Sequence, residues 1–484
     1  MANKADAVDF TDLRGWLSAV GNMGGLRTVQ GATWQQDIGE IAELITHREG
    51  GQAIICDDIP GYPPGYRVLV NALRTPERLA LAFRLPPHLS RGELTGAIGK
   101  KMSEVRPLPP VPAANGPILE NVDEGDAIDV LKFPTPQWHE KDGGRYIGTA
   151  CYVAMRDPES GKINLGAYRA MVDDAKHIIP HISQGKDGRI IRDKYFDRGE
   201  PCPLVFIIGG DPLLFMAGAT DFSFEVNEYD WVGGIRGRAV EVITGKYTGL
   251  PIAADAEIAL EGFLHKDDLK DEGPFGEWPG YYARGSRPEP RMELTAVYHR
   301  NDPILCGAPP VRPPSEATLF RTCLRSYLLK EQMEKAGVRN VVATWFPEPG
   351  GSRLFICVAI KQSYPGHAVQ AGHIASQCGV GAFFGRYVVV VDEDIDVTNM
   401  DEVLWAMCTR SDPATSIDII RRAWSTGVDP RLHPDDRAKG ITLNSRAIID
   451  ATKPFEWKDR FPPESALTPE ARKLAIEKWG MLLK

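Results

Sequence analysis

"GTACYVAMRDPESGKINLGAYRAMV", residues 148–172, decides the class of the middle of this chain. Two runs of aliphatic, aromatic and small residues flank "DPESGK" (157–162), where Asp, Pro, Ser and Gly cluster. Such a cluster between two apolar runs reads as the turn of a β-hairpin. Working outward, "PLVFIIGGDP" (203–212), "RAVEVITG" (238–245), "EIALEGFL" (257–264) and "RMELTAVYH" (291–299) repeat the same texture. Few long helical patterns interrupt them, so residues 118–310 are expected to form a mainly antiparallel β barrel or sandwich.

The outer thirds read differently. In "DLRGWLSAV" (12–20), Leu13, Trp16, Leu17 and Val20 share one helical face, and "DIGEIAELI" (37–45) repeats this with Ile38, Ile41 and Ile45 before the strand-like "QAIIC" (52–56). Residues 1–117 are therefore expected to be an α/β domain. The proline-rich "RPLPPVPAANGP" (106–117) is either a linker or an ordered surface segment crossing between domains. After residue 311, "SEATLFRTCLRSYLLKEQMEKAGV" (315–338) is a long amphipathic helix, while "RLFICVAIK" (353–361) and "RYVVVVDEDIDV" (386–397) read as buried strands. "PGHAVQAGH" (365–373) reads as a helix start and "DEVLWAMC" (401–408) as a helix. The terminal "LTPEARKLAIEKWGMLL" (467–483) is a helix with Thr468 as N-cap, so 311–484 forms a second α/β domain.

A chain of 484 residues exceeds one ordinary domain. Its 56 basic and 65 acidic residues give a net charge of −9 without a long basic run. That balance argues against a nucleic-acid or anionic-membrane partner. No signal-peptide core and no membrane-length apolar run are found. Eight scattered cysteines form no C-x-x-C pair, which points to buried free thiols in a reducing cytoplasm.

Acids and amides recur in three segments. "INLGAYR" (163–169) carries Asn164 and Arg169, whose odd spacing puts them on opposite faces of a regular strand unless a bulge near Gly166 intervenes. "QGKDGRIIRDKY" (184–195) offers Lys186 and Asp187 in a glycine-flanked turn, and "FEVNEYDWVGGI" (224–235) offers Glu225, Glu228 and Asp230. Such oxygen donors suit Mg²⁺ or Mn²⁺ better than zinc, although each segment alone more often means a solvated turn. "DEGPFGEWPGYY" (271–282) holds Glu272 and Glu277 about a Gly-Pro-Phe-Gly bend that neither helix nor strand accommodates. A pair of loop glutamates also serves simply to cap backbone amides. His177 and His181 in "KHIIPHIS" (176–183) have a proline between them and lack the continuous helix of a metal pair, so they read as surface or wall residues. "FIIGGDP" (206–212) is read as lacking the strand–turn–helix context of a dinucleotide loop.

"EGPFGEWPGYY", with "NLGAYRAMVDD" and "EVNEYDWVGGI" upstream, resembles the UbiD family of prenylated-FMN-dependent decarboxylases over most of the chain. The resemblance implies a flavin-reductase-like split β-barrel at 118–310 and a C-terminal domain that forms homodimers or homohexamers. It implies a catalytic network of Arg169, Glu272 and Glu277, in which Arg169 fixes an ionised Glu272 and leaves Glu277 free to donate a proton. Apolar neighbours Phe275 and Trp278 favour a neutral acid there. It also implies a divalent ion, Mn²⁺ or Mg²⁺ with K⁺ as a further cation, held by Asn164, Asp187 and Glu228 against the flavin phosphate. Asp187 stands where the family carries His, a departure that keeps a hard ligand but adds negative charge. Lys186 and Lys453, in "DATKP" (450–454), are weaker cofactor contacts that also fit exposed surface lysines. Trp278 either narrows the pocket or points into the core.

The implied activity is reversible, non-oxidative decarboxylation of an aromatic or heteroaromatic acid, with CO₂ as co-product and a flavin prenyltransferase supplying the cofactor. Two other readings stand beside it. One is a metal-dependent hydrolase or glycosidase using Glu272 and Glu277. The other is a non-catalytic subunit of a multisubunit carboxylase, which the Asp187 departure keeps open.

Overall fold

Asp12 begins the first element by accepting the Gly15 amide at 2.8 Å, which caps the helix Leu13–Asn22. Leu13, Trp16, Leu17 and Val20 of that helix are buried, as their spacing predicts. The strand Leu26–Gln30 follows and pairs in parallel with Ala53–Asp57, the strand expected from "QAIIC". Arg67–Val70 adds to this sheet, and Ile304–Cys306 completes it as the fourth strand. The chain therefore leaves the first domain, builds the central one, and returns to pair with the first. In this computed structural model the described residues are 10–220, 222 and 226–483.

The central sheet has nine strands. Eight lie in the order Tyr146–Gly148, Arg169–Asp174, His177–His181, Arg287–His299, Ala256–Glu272, Cys202–Gly209, Cys151–Arg156 and Ile163–Gly166. The ninth, Asn121–Glu124, pairs with Arg287–His299. All these pairings are antiparallel, as the hairpin texture predicts. The strand Ile163–Gly166 ends one side of this order and Arg169–Asp174 lies second from the other, yet only Ala167 and Tyr168 join them. A two-residue link spans less than about 11 Å, so the sheet must curl until its ends meet. The result is a curled β half-barrel. Asn164 and Arg169 thus lie on two different strands separated by a break, and no bulge in one strand relates them.

The proline-rich stretch is ordered, because Val111–Pro112 pairs with Glu241–Thr244 in a small sheet completed by Pro251–Ala253. "FIIGGDP" corrects its expectation: the strand Cys202–Gly209 does run through a turn into a helix, Pro212–Gly218, capped by Asp211. Both neighbours of that strand are antiparallel, unlike the parallel βαβ unit of a dinucleotide fold.

In the C-terminal third, the helix Thr318–Lys335 precedes a five-stranded sheet ordered Val341–Trp345, Phe355–Ile360, Tyr387–Asp392, Leu443–Ala451 and Ile417–Trp424. Its three middle strands are parallel, and two of them, Phe355–Ile360 and Tyr387–Asp392, are buried almost throughout, which explains their apolar runs. The expected helices appear at His367–Gln377, Met400–Arg410 and Pro469–Trp479, the last with Thr468 accepting the Ala471 amide. Among the described residues no helix is long and apolar enough to cross a membrane. Cys56, Cys151, Cys202, Cys306, Cys323 and Cys357 are buried free thiols.

Candidate active site

Glu272 is the last residue of the long strand Ala256–Glu272, and the Gly-Pro-Phe-Gly bend begins at once after it. Glu277 is held by its own backbone: its amide donates to Tyr281 at 3.0 Å and its carbonyl accepts from Gly280 at 2.8 Å. Gly280 has φ +86, and a Cβ there would fall 2.7 Å from the Arg312 Cα, so only glycine lets the loop close on that backbone.

Arg169 starts the strand Arg169–Asp174 and reaches both acids. Its Nε donates to Glu272 Oε1 at 2.8 Å and its Nη2 to Oε2 at 2.9 Å, while Nη1 donates to Glu277 Oε1 at 2.9 Å. This corrects the expectation that Arg169 leaves Glu277 free. A guanidinium has more than one donating edge; Nε and Nη2 take Glu272 as a fork, and Nη1 still has hydrogens for a second carboxylate. Burial alone would pull the Arg169 pKa down, but the hydrogen bond to Glu272 and the charges of both glutamates outweigh it and hold the group above its ordinary value.

Glu272 is 0% exposed. It tolerates that burial because a third donor, Tyr146 Oη, reaches Oε1 at 2.9 Å. The Tyr146 ring stacks on Phe275 with centroids 3.9 Å apart, and the Arg169 guanidinium lies 5.4 Å from the Phe275 centroid. Burial, then the neighbouring Glu272, pushes the Tyr146 phenol up, so it stays protonated and donates. Tyr146→Phe is expected to lower stability by about 1.5–3 kcal/mol, since it removes a hydrogen bond to a buried charge. Urea unfolding checks this, and an unchanged midpoint would show that Glu272 is supported by Arg169 alone.

Behind Arg169, His181 occupies the paired position on the next strand. It is buried with Nδ1 2.8 Å from Glu289 Oε1, and Arg287 Nε lies 3.2 Å from the same oxygen. Burial first, and then the nearby Arg169 and Arg287 charges, lower the His181 pKa despite Glu289. His181 is thus part of the site wall, whereas His177 faces Asp174 at 2.7 Å nearer the surface.

A second cluster forms where two helix starts meet the strand Ile163–Gly166. Glu228 opens the helix Glu228–Arg236, whose cap Asn227 accepts the Tyr229 and Asp230 amides. Asp187 opens the helix Asp187–Asp197 with Lys186 as the residue before it, so "QGKDGR" is a helix entry rather than only a turn. Asn164 Nδ2 donates to Glu228 Oε1 at 3.3 Å, and the Leu165 amide donates to Oε2 at 3.1 Å. Burial pushes the Glu228 carboxyl up to about 7; the Leu165 bond opposes this and the Asp187 charge adds to it. The Asn164 Oδ1 is buried without a hydrogen-bond partner. Among the described residues no group of three or more His, Cys, Asp or Glu side chains is set to hold a metal ion. An orphaned amide oxygen beside one buried carboxylate, with a second carboxylate near, nevertheless fits a hard cation's donor set. Glu225 lies outside the described residues.

Two further side chains go elsewhere. Lys453 follows the strand Leu443–Ala451 and places Nζ 2.6 Å from Asp394, with its amide on Asp392. Trp278 packs across to the C-terminal domain, edge-on to Phe384 at 4.9 Å and close over Gly351. The acid-bearing loop is therefore anchored from two domains. Tyr146 and Glu289 were not singled out from sequence, and His181 reads there only as a surface or wall residue, since a lone tyrosine or histidine in a strand carries no spacing signal.

Models of 3-octaprenyl-4-hydroxybenzoate carboxy-lyase match this chain in three parts: the N-terminal domain over 6–97, the Rift-related domain over 110–313 and the C-terminal domain over 318–451. The chain belongs to the UbiD family. It is 28% identical to a pyrrole-2-carboxylic acid decarboxylase of Pseudomonas aeruginosa, over 98% of both chains. Its fold superposes on the vanillic acid decarboxylase of Sedimentibacter hydroxybenzoicus with a TM-score of 0.85 at 26% identity, covering 98% of this chain and 99% of the other. It also matches the UbiD-class enzyme HmfF of Pelotomaculum thermopropionicum, solved in complex with FMN, with a TM-score of 0.84 at 24% identity, covering 97% of this chain and 100% of the other. This UbiD protein is accordingly an enzyme of the carboxy-lyase class. The hydrolase alternative falls with that assignment.

Proposed function

We propose that this UbiD protein is a prenylated-FMN-dependent decarboxylase of an aromatic or heteroaromatic carboxylic acid, with Glu277 as the proton donor. The observation that carries the reading is the double hold of Arg169, bidentate on buried Glu272 and single on Glu277. Losing CO₂ leaves an electron pair on the substrate carbon, which a proton must take up. Two carboxylates on one guanidinium let one remain ionised as the counter-ion while the other carries and delivers that proton. Glu272 is the counter-ion, being fully buried and held by three donors; Glu277 is the less buried member and is held by one. Phe275 and Tyr146 form an apolar wall that keeps water from the cluster.

Bound in the curled central domain, a split β-barrel in this reading, prenylated FMN supplies the electron sink for the pair released with CO₂. Asn164, Asp187 and Glu228 would hold a divalent cation, Mn²⁺ or Mg²⁺, whose charge would offset that of the cofactor phosphate, and the helix starts at Asp187 and Glu228 would favour an anion in the same way. Lys186, the residue before the helix Asp187–Asp197, would be a further contact for the phosphate in this reading. Self-association is part of the reading, because the terminal helix Pro469–Trp479 exposes Leu474, Ile476 and Trp479. The intact Arg169–Glu272–Glu277 arrangement disfavours a purely supporting subunit.

Co-expression with a flavin prenyltransferase tests the reading. The protein should purify with a modified flavin and release CO₂ from members of a panel of aromatic acids. Deuterium exchange at the carbon losing CO₂ would report the reverse direction. A flavin-loaded preparation inert towards the whole panel would overturn the catalytic assignment. Asp187→Ala is expected to lower bound divalent metal and flavin retention, whereas Asp187→His should retain both. Equal metal content in wild type and Asp187→Ala, measured by mass spectrometry of the purified protein, would remove Asp187 from the ligand set.

A further inference from the structure

The loop that carries Glu277 also carries Arg284. Among the described residues, Arg284 makes no hydrogen bond and no ion pair, although it is half-buried. Its guanidinium rests on the C-terminal domain: a Cβ on Gly427 would fall 2.2 Å from Arg284 Nη2 and 3.0 Å from its Cζ. Arg437 pins the preceding residue in place, donating to the Ala283 carbonyl at 2.9 Å and to the Asp429 carbonyl at 3.0 Å. Arg284 is therefore held in the seam between the acid-bearing loop and the C-terminal domain by its neighbours and not by an acceptor of its own.

The charges around it leave it unneutralised. Burial, then the Arg287 guanidinium, lower its pKa; Glu277 opposes them, while Arg169 and Arg437 add to the lowering. Arg169 already occupies Glu277 and Glu272, Arg287 occupies Glu289, and Arg437 is spent on carbonyls. A partly desolvated cation beside three others lacks an anion, and a guanidinium fork matches a carboxylate or phenolate oxygen best.

We propose that Arg284 docks a second acidic substituent of the substrate, a carboxylate or acidic phenol remote from the carboxyl group that leaves, so that aromatic diacids or hydroxy acids are preferred over simple monoacids. This rests on the decarboxylase reading above. The leaving carboxyl group is a poor target for such an anchor. It becomes neutral CO₂, so a strong ionic grip on it would stabilise the ground state more than the transition state. A substituent that keeps its charge throughout is gripped equally in both and lowers KM without slowing the chemical step.

The test compares wild type, Arg284→Gln and Arg284→Lys as flavin-loaded enzymes on three matched acids: one ring bearing a single carboxyl, the same ring with a second carboxyl, and the same ring with an acidic hydroxyl. For the diacid or hydroxy acid, Arg284→Gln should raise KM by about 10- to 100-fold relative to its effect on the monoacid, the worth of one charged hydrogen-bond pair. Its kcat should remain near wild type, and Arg284→Lys should recover part of the loss. Which of the two KM values moves distinguishes carboxylate from phenol. Titration of the flavin-free chain with the diacid, followed by calorimetry, should show binding to wild type that Arg284→Gln loses. An equal KM rise for monoacid and diacid would assign Arg284 to the leaving group instead and sink the proposal. So would loss of flavin retention in Arg284→Gln, or the absence of any diacid binding to the flavin-free wild type. Arg284-dependent binding in an enzyme that decarboxylates nothing would overturn the catalytic reading and leave the anion site standing.

Discussion

Glu277→Gln is expected to lower kcat by about 10²- to 10⁴-fold, the usual contribution of a positioned general acid, while flavin content, its spectrum and the unfolding midpoint stay near wild type. The side chain keeps its shape, and its amide oxygen can still accept from Arg169 Nη1, which lies 2.9 Å from Oε1 in the parent. Only the transferable proton is removed. The fold should not suffer, because Glu277 is fixed through its backbone to Gly280 and Tyr281 and its loop is anchored by Trp278 against Phe384. Steady-state kinetics on a turned-over acid, with an absorbance spectrum of the same sample, measures both sides of this expectation. Near-wild-type kcat would mean that the proton comes from elsewhere.

Arg169→Met should be the most damaging single change to stability at the site. Glu272 is fully buried, and its two strongest donors come from this guanidinium. Removing one partner of a buried pair leaves an uncompensated charge, at a cost of about 3–5 kcal/mol. Tyr146 remains as a single donor and offsets only part of that. Activity should vanish along with the stability. The double variant Arg169→Met/Glu272→Gln separates the two effects: without a buried charge it should regain most of the lost stability and none of the activity. Chemical denaturation of the three proteins is the measurement. If the double variant is no more stable than Arg169→Met alone, burial of an unpaired Glu272 is not the cause.

The fold also explains why some site residues were legible in the sequence and others were not. The Glu272–Glu277 bend was legible because Pro274 and its flanking glycines exclude regular structure, and because six consecutive residues spell a specific motif. Asn164 and Arg169 were legible only as an awkward pair, five positions apart on what looked like one strand. Their placement depends on the chain breaking at Ala167–Tyr168, which puts them on two strands with five others between them in the sheet order. Tyr146 and Arg284 gave no signal, and His181 read only as a surface or wall residue. Each gains its role from a residue far away in the chain: Glu272 for Tyr146, 126 positions on; Glu289 for His181, 108 positions on; the Gly427 backbone for Arg284.

Local chemistry, then, was enough to determine three things about this protein: a β-rich middle between two α/β ends, a rigid loop presenting two acids, and a set of hard oxygen donors. Those follow from backbone preferences and side-chain type, which are properties of neighbouring residues. The tertiary structure alone decided that Arg169 binds both acids at once, that Trp278 ties their loop to the C-terminal domain, and that Arg284 has no counter-ion among the described residues. Those facts depend on which distant strands and loops come to share a few ångströms, and side-chain pairing at that range is set by packing of the whole chain rather than by the order of residues along it.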